Sequence, residues 1–314
     1  MGCPGSIVIV TYNSAAHIEA CLRSVHSSAW ELIVVDNGSQ DDTVARAGAV
    51  PGALVVANSQ NRGFAAAANQ GVKVSRSEWV LLLNPDMEVE PGALGALKDA
   101  VSEGGVEAAG GRLLNPDGAT QVGFTARRLP SPATMLAEVL LLNRLFPGNR
   151  WNRRYRCLDM DYERAAEIEQ PPGACLLVKR SVWEELGGLD ESFFPLWFED
   201  ADFCRRLREG GGKILYAPKA RFRHRGAHSL NSLPASAREL AWYRNLLRYF
   251  RKHHGRLTVG ALRAGIAVGA LLRLLATALG ARPKSGTRGE AIQAYVGVVR
   301  FTLVGETGAT AGRL

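Results

Sequence analysis

The amino-acid sequence predicts an α/β fold with a mostly parallel central sheet. Short β-branched runs alternate with helical patterns through the first 120 residues, and polar residues follow the strand-like runs. The chain has 314 residues, of which 46% are hydrophobic and 22% are charged. These values are typical of a globular protein with one large core or two domains, and they exclude a chain that is disordered throughout.

The first hundred residues contain four apolar runs that read as buried strands, with helical patterns between them. Between the first two strands, Ile18, Cys21, Leu22 and Val25 share one face of a helix predicted over residues 16–27. The predicted strands are Ser6–Thr11, Glu31–Asp36, Ala53–Ala57 and Trp79–Leu83, and the later helices are Phe64–Val74 and, after Pro91, Ala93–Val101.

The pattern is less regular after residue 107. A strand over Ala108–Leu114 is followed by a tight turn at Asn115–Gly118 and a further short strand. From Gly123 to Glu169, arginines and prolines surround the apolar stretch Leu136–Phe146, which favours a helical insertion or an acceptor lid. Regular structure is predicted again for a strand over Gly173–Val178 and for helices over Arg180–Leu186 and Phe198–Arg208.

The positive charge is concentrated in the C-terminal third. The whole chain has a net charge of +8. Residues 1–200 contain 17 basic and 25 acidic side chains, a net charge of −8, whereas residues 201–314 contain 21 basic and 5 acidic ones, a net charge of +16. The C-terminal third is therefore the part that we expect to meet an anionic partner.

Two segments of this basic region indicate a membrane surface. Pro234–His254 predicts an amphipathic helix with a basic border, and Leu257–Ala281 is largely apolar but contains Arg263 and Arg273. Each arginine would cost about 2.5–3.5 kcal/mol at the centre of a bilayer, so we expect an interfacial segment rather than a span. The alternative is a helix that packs on the rest of the protein with a solvated basic side.

Several classes of protein are excluded by missing patterns. The five cysteines are scattered and contain no C-x-x-C pair, which favours a reducing, cytosolic setting over a disulfide framework or a zinc knuckle. The first apolar run, Ile7–Val10, is too short for a signal peptide. Neither G-x-G-x-x-G after the first strand nor G-x-x-x-x-G-K-[ST] is present, which argues against dehydrogenase and P-loop classes.

Polar residues follow each of the four predicted N-terminal strands. In parallel sheets, ligands bind beyond the carboxyl ends of the strands, so these positions predict a binding site. Ordinary turn chemistry would supply the same residue types, and that alternative stays open for any single position. The four segments are Thr11–Ser14, Asp36–Ser39, Asn58–Asn61 and Asn84–Asp86.

A set of short blocks occurs in a fixed order along the chain. The blocks are Ile7–Asn13, Val34–Ser39 with Asp41–Thr43, Asn61–Ala65 with Asn69 and Gly71, Leu82–Asp86, Gly173–Ala174, Gly187–Asp190, Glu199–Cys204, and His224–Gly226 with Ser229. This set resembles glycosyltransferase family 2, the inverting group with the GT-A fold. The Asn-Arg-Gly-Phe and Asn-Pro-Asp forms look most like its rhamnosyltransferase branch.

The resemblance implies a site for a nucleotide-diphospho sugar. Asp36 would accept a hydrogen bond from the ring N–H of a pyrimidine, with Thr11 and Asn13 beside it; the alternative is a helix N-cap. The loop beneath the nucleotide would contain Asn61, Arg62, Gly63 and Asn69, with Arg62 either on a phosphate or solvated, and Gly63 allowing close backbone approach.

The resemblance also implies a divalent cation, Mg²⁺ or Mn²⁺, that helps the nucleotide diphosphate to leave. Members of the family usually carry Asp-x-Asp at this point, whereas this chain has Asn84-Pro85-Asp86. Asp86 is then the natural anionic ligand, and Asn84 is expected to contact the ribose. His224, a lone histidine after a strand, is the expected second ligand; a purely structural role is the alternative.

Inversion at the anomeric carbon needs a base that removes the proton of the acceptor hydroxyl. By resemblance this base is Asp200, with Glu199 and Asp202 beside it on the acceptor side. The alternative is that these acids cap the helix and pair with arginines. Trp197 offers a flat surface on which a sugar could stack, or it is part of the core.

The sequence thus predicts an enzyme that moves one sugar, rhamnose or a related deoxyhexose, from a dTDP- or UDP-sugar to a lipid-linked or cell-envelope glycan. It would act in the cytoplasm, peripherally on the inner face of the cytoplasmic membrane. The predicted parts are a nucleotide-sugar half (1–120), an acceptor and catalytic half (121–232) and a helical C-terminal region (233–314). The alternative is a non-catalytic nucleotide sensor or a nucleic-acid-binding module, although long aliphatic stretches among the basic residues argue against nucleic acid.

Overall fold

The computed structural model describes residues 3–26, 28–102, 104–225, 234–282 and 286–304. The chain forms two compact units. The first comprises Met1–Leu129, Tyr155–Pro195 and Glu199–Ser229, and the second comprises Pro130–Arg154, Leu196–Phe198 and Leu230–Leu314. Gly226 and Ser229, which end the last sequence block, lie outside the described residues. The three-part division predicted from the sequence stays a prediction.

The first unit is built on one sheet, which has nine strands among the described residues. The order across the sheet is β3-β2-β1-β4-β8-β6-β9-β5, with β7 paired to β9. The strands are β1 (Ser6–Thr11), β2 (Glu31–Asp36), β3 (Ala53–Ala57), β4 (Trp79–Leu83), β5 (Met87–Val89), β6 (Ala108–Leu114), β7 (Ala166–Glu167), β8 (Cys175–Lys179) and β9 (Ile214–His224).

Helices cover both faces of this sheet. Successive strand residues point to opposite faces, so Ile7 and Ile9 join one buried cluster and Val8 joins the other. The helices of the chain are α1 (Ile18–His26), α2 (Thr43–Gly48), α3 (Phe64–Val74), α4 (Ala93–Ala100), α5 (Pro132–Val139), α6 (Leu142–Leu145), α7 (Arg150–Tyr155), α8 (Arg180–Glu185), α9 (Glu199–Glu209), α10 (Ala235–His253), α11 (Arg256–Ala278) and α12 (Arg288–Val304).

The α/β prediction is confirmed, and the sheet is more mixed than expected. Strands β3, β2, β1 and β4 are parallel to their neighbours in that order, as the alternating pattern predicts. Strand β8 runs antiparallel to both β4 and β6, and β9 pairs parallel to β6 but antiparallel to β5 and β7. The mostly parallel arrangement therefore holds only for the part of the sheet formed by β1 to β4.

The short strand expected after the Asn115–Gly118 turn is replaced by an isolated bridge between Leu114 and Thr120. The backbone N–H of Gln121 still donates to Leu113. The chain then turns, because the N–H groups of Phe124 and Thr125 both donate to the Gln121 carbonyl. This turn ends the pairing and places the side chains of Gln121 and Phe124 against His224 at the end of β9, where the candidate site lies.

The second unit is helical. The apolar face of α10 is buried, with Tyr249 and Phe250 fully inaccessible. The membrane contact expected for this segment stays a prediction. Helix α11 is the one described helix that is long and apolar enough to cross a membrane. Its two arginines turn inward: Arg263 donates to the Thr302 carbonyl, and Arg273 donates to the Val139 carbonyl at 2.7 Å.

Candidate active site

The ends of β1 and β2 bring three of the predicted donor residues together. Thr11 and Asp36 are direct partners in the parallel register, and Thr11 Oγ1 donates to Asp36 Oδ1 at 2.8 Å. Asn13 has a positive φ of 49°, and its backbone N–H donates to Ser39 Oγ at 2.8 Å. Its side-chain oxygen accepts from the backbone of Gln40. The predicted neighbourhood of Thr11, Asn13 and Asp36 is therefore present.

The Asp36 carboxylate is fully engaged by the protein itself. Oδ1 accepts from Thr11 Oγ1 and from Ser39 Oγ, while Oδ2 accepts from the backbone N–H groups of Gly38 and Ser39. The side chain is 1% exposed. A carboxylate has about four lone-pair positions, and all of them are used here. In this conformation Asp36 holds the β2–α2 loop, and its predicted contact with a pyrimidine would require a rearrangement.

The loop over residues 61–63 is also held from within. Asn61 Oδ1 accepts from the Gly63 backbone at 2.8 Å, and Asn37 Nδ2 donates to the Gly63 carbonyl at 3.0 Å. Gly63 has a φ of 84°, and a Cβ placed there would lie 2.8 Å from the Phe194 ring. Glycine is thus required for close contact with Phe194, whereas the Arg62 side chain is exposed.

Asn69 is occupied by a different loop. Its amide donates to the Leu189 carbonyl at 2.9 Å, and its carbonyl oxygen accepts from the Leu189 N–H at 2.9 Å. These two bonds fix the Gly187–Asp190 block against α3. The structure therefore gives Asn69 a structural partner, and its predicted contact with the nucleotide loop stays a prediction.

The end of β4 lies beside the start of β8, because the two strands are antiparallel. The backbone N–H of Asn84 donates to the Ala174 carbonyl at 3.0 Å. Gly173, the residue before Ala174, donates its N–H to Asp200 Oδ2 at 3.1 Å. A Cβ at Gly173 would lie 3.4 Å from that of Asp200. The Gly173–Ala174 segment thus connects the predicted donor residue Asn84 to the predicted base.

Asp86 and His224 meet because β5 and β9 are paired. Met87 is the register partner of His224, and the backbone N–H of Arg225 donates to the Asp86 carbonyl at 3.1 Å. His224 Nε2 lies 3.5 Å from Asp86 Oδ2. Both side chains are buried, and Asp86 Oδ1 has no hydrogen-bond partner among the described residues. Burial lowers the pKa of His224, and the Asp86 charge opposes that shift.

Helix α9 begins with two acids in different surroundings. Asp200 is partly exposed, and Gly173 and Ala201 donate their N–H groups to its two oxygens. Glu199 is buried, and its Oε2 atom has no hydrogen-bond partner among the described residues. Burial, reinforced by the Asp200 charge, raises the pKa of Glu199 well above its usual range. Asp200 therefore has the access that a base needs, whereas burial disfavours the charged form of Glu199.

The structure places Asp202 differently from the acceptor-binding prediction. Asp202 is 0% exposed, and its Oδ2 forms an ion pair with Arg206 at 2.9 Å. Arg206 in turn donates to the carbonyl groups of Leu186 and Gly188. A fully buried carboxylate in such a network holds the fold, as the alternative reading of this residue proposes. Trp197 belongs to the second unit, where it is half-buried, and its predicted sugar contact stays a prediction.

Comparison with known proteins identifies the family. The model of "Glycosyl transferase family 2" matches residues 6–187, which is more than half of the chain. The chain belongs to glycosyltransferase family 2. The matched range includes the strand-end residues Thr11, Asp36 and Asp86, and it ends before the helix that carries Asp200.

Two curated relatives indicate which members of family 2 this enzyme is similar to. It is 33% identical over 251 residues to an N-acetylglucosaminyl-diphospho-decaprenol L-rhamnosyltransferase of Mycobacterium tuberculosis, covering 73% of this chain and 78% of the relative. It is 28% identical over 207 residues to the low-salt glycan biosynthesis hexosyltransferase Agl10 of Haloferax volcanii, covering 65% and 61%. These relatives support a rhamnosyltransferase-like glycosyltransferase.

Solved structures support the GT-A fold of the family 2 enzyme. A mannosyltransferase of Pyrobaculum calidifontis, solved with GDP-Man and Mn²⁺, matches with a TM-score of 0.55 and 16% identity over 97% of this chain and 88% of its own. GalNAc-T7, solved with UDP, GalNAc and Mn²⁺, matches with a TM-score of 0.55 and 14% identity over 95% of this chain and 55% of its own. At these identities the likeness concerns the fold.

The Asp86–His224 pair fits a divalent cation, the group that the resemblance implies for this site. Asp86 Oδ1 is a buried carboxylate oxygen without a described partner, and an imidazole nitrogen faces the same carboxylate. Carboxylate oxygens suit Mg²⁺ and Mn²⁺, and the neutral imidazole of histidine is a common metal ligand in proteins. The described residues contain no group of three or more acidic, histidine or cysteine side chains that could hold a metal. Donor phosphate oxygens and water would complete the coordination.

The sequence did not single out three residues that build this site. Asn37 and Ser39 lie within the Val34–Ser39 block and form hydrogen bonds in the site. The block is therefore a sequence signal for residues of the site other than Asp36. Gln121 follows the Asn115–Gly118 turn, and its side chain contacts His224. No pattern in the sequence indicates that contact, because it depends on how β9 pairs in the sheet.

Proposed function

We propose that this enzyme transfers one L-rhamnose, or a related deoxyhexose, from a dTDP- or UDP-sugar to a lipid-linked N-acetylglucosamine, with inversion at the anomeric carbon. The observation that carries the proposal is the Gly173–Ala174 segment, which connects Asn84 at the end of β4 to the carboxylate of Asp200. The identity to a decaprenol-linked rhamnosyltransferase supports the choice of sugar and acceptor.

Asp200 would act as the general base. Its carboxylate is oriented by the N–H groups of Gly173 and Ala201 and is still partly exposed. It would take the proton from the acceptor hydroxyl as that oxygen bonds to the anomeric carbon of the donor. The bond from this carbon to the diphosphate breaks on the opposite face, so the configuration inverts and the nucleotide diphosphate leaves.

Asp86 and His224 would hold the divalent cation, Mg²⁺ or Mn²⁺, through Oδ1 or Oδ2 and through Nε2. When bound, such a cation neutralises the charge that develops on the departing diphosphate. Asn84, at the same turn, would orient the ribose. The residues around Asp36 would shape the nucleotide pocket, with the β2–α2 loop held by the four hydrogen bonds to its carboxylate.

Replacement of the base tests this proposal. Asp200→Asn keeps the size of the side chain but removes its ability to accept a proton, so kcat should fall about 10²- to 10⁴-fold. The assay would use dTDP-rhamnose and a polyprenyl-diphospho-N-acetylglucosamine with Mn²⁺, and it would follow both product and nucleotide release. Glu209→Gln, at the exposed end of the same helix, is the matched control and should retain wild-type activity.

The proposal fails if Asp200→Asn turns over the verified donor and acceptor at the wild-type rate. A panel of dTDP-, UDP- and GDP-sugars, scored by protection against thermal unfolding, separates the choice of donor from the choice of base. If only a GDP-sugar protects the protein, the proposed pyrimidine nucleotide of the donor is wrong, but the proposed transfer reaction is not contradicted.

The second unit supports a peripheral contact with the inner face of the cytoplasmic membrane. In the part of α11 that follows Leu257, all exposed residues are apolar or glycine. They include Val268, Leu271, Leu272 and Leu275. The arginines inside the helix are turned away into hydrogen bonds with backbone carbonyls. Exposed Arg256 and Arg282 lie at the two ends. An apolar stripe between basic ends suits the interface of an anionic bilayer.

Flotation of the full-length protein with phosphatidylglycerol vesicles tests this contact. The triple variant Leu271→Ser, Leu272→Ser and Leu275→Ser should bind at least about tenfold more weakly, because each leucine buries apolar area in the interface. The control variant Leu54→Ser and Val122→Ser removes exposed apolar side chains from the first unit. Equal loss in both variants, or no loss in either, would contradict a membrane role for α11.

A further inference from the structure

We propose that Gln121 is a positioning residue that fixes the tautomer and the ring of His224, so that the Nε2 lone pair faces Asp86. This inference deepens the proposed function and rests on the Asp86–His224 cation site. Gln121 Nε2 lies 2.9 Å from the His224 carbonyl oxygen, and Gln121 Oε1 lies 2.9 Å from His224 Nδ1. The two groups of one amide thus bind the backbone and the ring of one histidine.

The chemistry of these groups fixes the direction of both hydrogen bonds. A backbone carbonyl can only accept, so the NH₂ group of Gln121 must face the His224 carbonyl oxygen. The amide oxygen then faces Nδ1, and because an amide oxygen can only accept, Nδ1 must carry a hydrogen. Only a neutral imidazole can bind a cation, and a neutral imidazole has a single N–H. With that hydrogen on Nδ1, the Nε2 atom carries the free lone pair.

Two further contacts hold the ring in place. Phe124 stacks on His224 with the ring centroids 5.2 Å apart and the planes within 3°. The Arg127 guanidinium lies 5.1 Å from the centroid of Phe124. The pairing of Met87 with His224 sets the position of the backbone. The ring is thus fixed in its plane, its tautomer and its position along the sheet.

The consequence is a pair of acceptors that face each other. The Nε2 lone pair of His224 and the Oδ2 atom of Asp86 are 3.5 Å apart. If Gln121 is removed, the single hydrogen of the imidazole can move to Nε2, where Asp86 accepts it. That exchange would give Asp86 a hydrogen-bond partner and remove the nitrogen as a ligand. Gln121 therefore keeps the site ready for a cation.

Nitrogen-15 NMR of histidine-labelled protein tests the tautomer directly, without metal or donor. The His224 signals would be assigned by their loss in His224→Gln. The wild type should show the Nδ1–H form, and Gln121→Met should move the signal toward the Nε2–H form. Val122→Met, an exposed substitution in the same turn, is the matched control and should leave the signal unchanged. An Nε2–H form in the wild type overturns the inference even if no variant folds.

Mn²⁺ binding in the presence of dTDP, followed by electron paramagnetic resonance, supplies the second readout. Gln121→Met should raise the Kd for Mn²⁺ about 10- to 100-fold, the usual effect of losing a group that orients a metal ligand. Val122→Met should keep the wild-type Kd. A Gln121→Met variant with unchanged tautomer and Kd overturns the inference. A wild type that has the Nδ1–H form but binds no Mn²⁺ supports the tautomer inference and contradicts the cation in the proposed function.

Discussion

Asp36 and Asp86 lie at the carboxyl ends of two strands of the same sheet, β2 and β4, yet their carboxylates have opposite surroundings. Asp36, the last residue of β2, accepts four hydrogen bonds from protein donors. Asp86, three residues beyond the end of β4, has one oxygen without a described partner and the other beside an imidazole. Both side chains are at least 95% buried.

The difference separates a carboxylate that is satisfied within the protein from one that, in the proposed function, binds a cation. Burial of a carboxylate is costly unless hydrogen bonds or a counter-charge compensate it. Asp36 is compensated by its own loop, so the folded chain is complete at that point. Asp86 is not, and the missing compensation is what the proposed cation would supply.

Asp86→Asn should have the largest effect, and the effect should be on transfer rather than on stability. The amide keeps the volume but removes the negative charge, so we expect activity to fall about 1,000-fold, which corresponds to roughly 4 kcal/mol in the activation free energy. The free energy of unfolding should stay the same or rise, because an uncompensated buried charge is removed. Transfer assays and chemical denaturation measure the two quantities.

Glu88→Gln is the control for that prediction, because Glu88 lies only two residues further along, on β5, and pairs with Arg225 near the surface. Its loss should change activity and stability little. A strongly destabilised Asp86→Asn would mean that the Asp86 charge is already compensated in the folded protein without a cation. That outcome would remove the contrast with Asp36.

Asp36→Asn should act in the opposite sense. The amide would place an NH₂ group against donors that now face a carboxylate oxygen, such as the N–H groups of Gly38 and Ser39. Buried donors left without an acceptor cost about 1–3 kcal/mol each, so we expect a loss of about 3 kcal/mol in the free energy of unfolding. Thermal and urea denaturation without any ligand would measure this loss.

Asp42→Asn is a matched control for Asp36→Asn, since the side chain of Asp42 is exposed and forms no cap hydrogen bond to α2. It should change the free energy of unfolding by less than about 0.5 kcal/mol. If Asp36→Asn is as stable as the wild type, the four hydrogen bonds do not decide the role of Asp36, and base recognition becomes the better explanation.

The sequence was most informative where one segment determines its own structure. The strands β1 to β4 and the helix α3 agree with prediction to the residue, because apolar runs and polar ends are local signals. The pairing of β9 with β5, β6 and β7 has no local signal, and it is that pairing which brings His224 to Asp86.

The same limit applies to the site residues. The sequence identifies four acids in its motif blocks: Asp36, Asp86, Asp200 and Asp202. Whether each carboxylate finds a hydrogen-bond or ion-pair partner depends on burial and on residues that are distant in the chain. Asp202 lies fully buried against Arg206, whereas Asp200 keeps access to solvent. Local patterns therefore find the carboxylates, and only the packed structure distinguishes the ones that are free to react.

Glu199→Gln should give the smallest effect and a distinct dependence on pH. Burial raises the pKa of Glu199 above its usual value, so the folded protein holds this proton where the unfolded chain has released it. The stability of the wild type should fall as pH rises from the unfolded pKa, near 4.5, toward the folded one, by about 1.4 kcal/mol for each pKa unit between them. The variant cannot ionise and lacks this slope.

The stabilities of the wild type and of Glu199→Gln should therefore depend on pH in the same way below about pH 4. Above this pH they should diverge, and the variant should become the more stable relative to the wild type. Urea denaturation between pH 4 and pH 8 gives the slopes, and Glu185→Gln, an exposed acid at the end of α8, should follow the wild type. Parallel profiles for Glu199→Gln and the wild type would mean that Glu199 is ionised in the folded state. In that case Glu199 would be a second uncompensated buried carboxylate in addition to Asp86, and compensation would no longer distinguish ligand sites from structural ones.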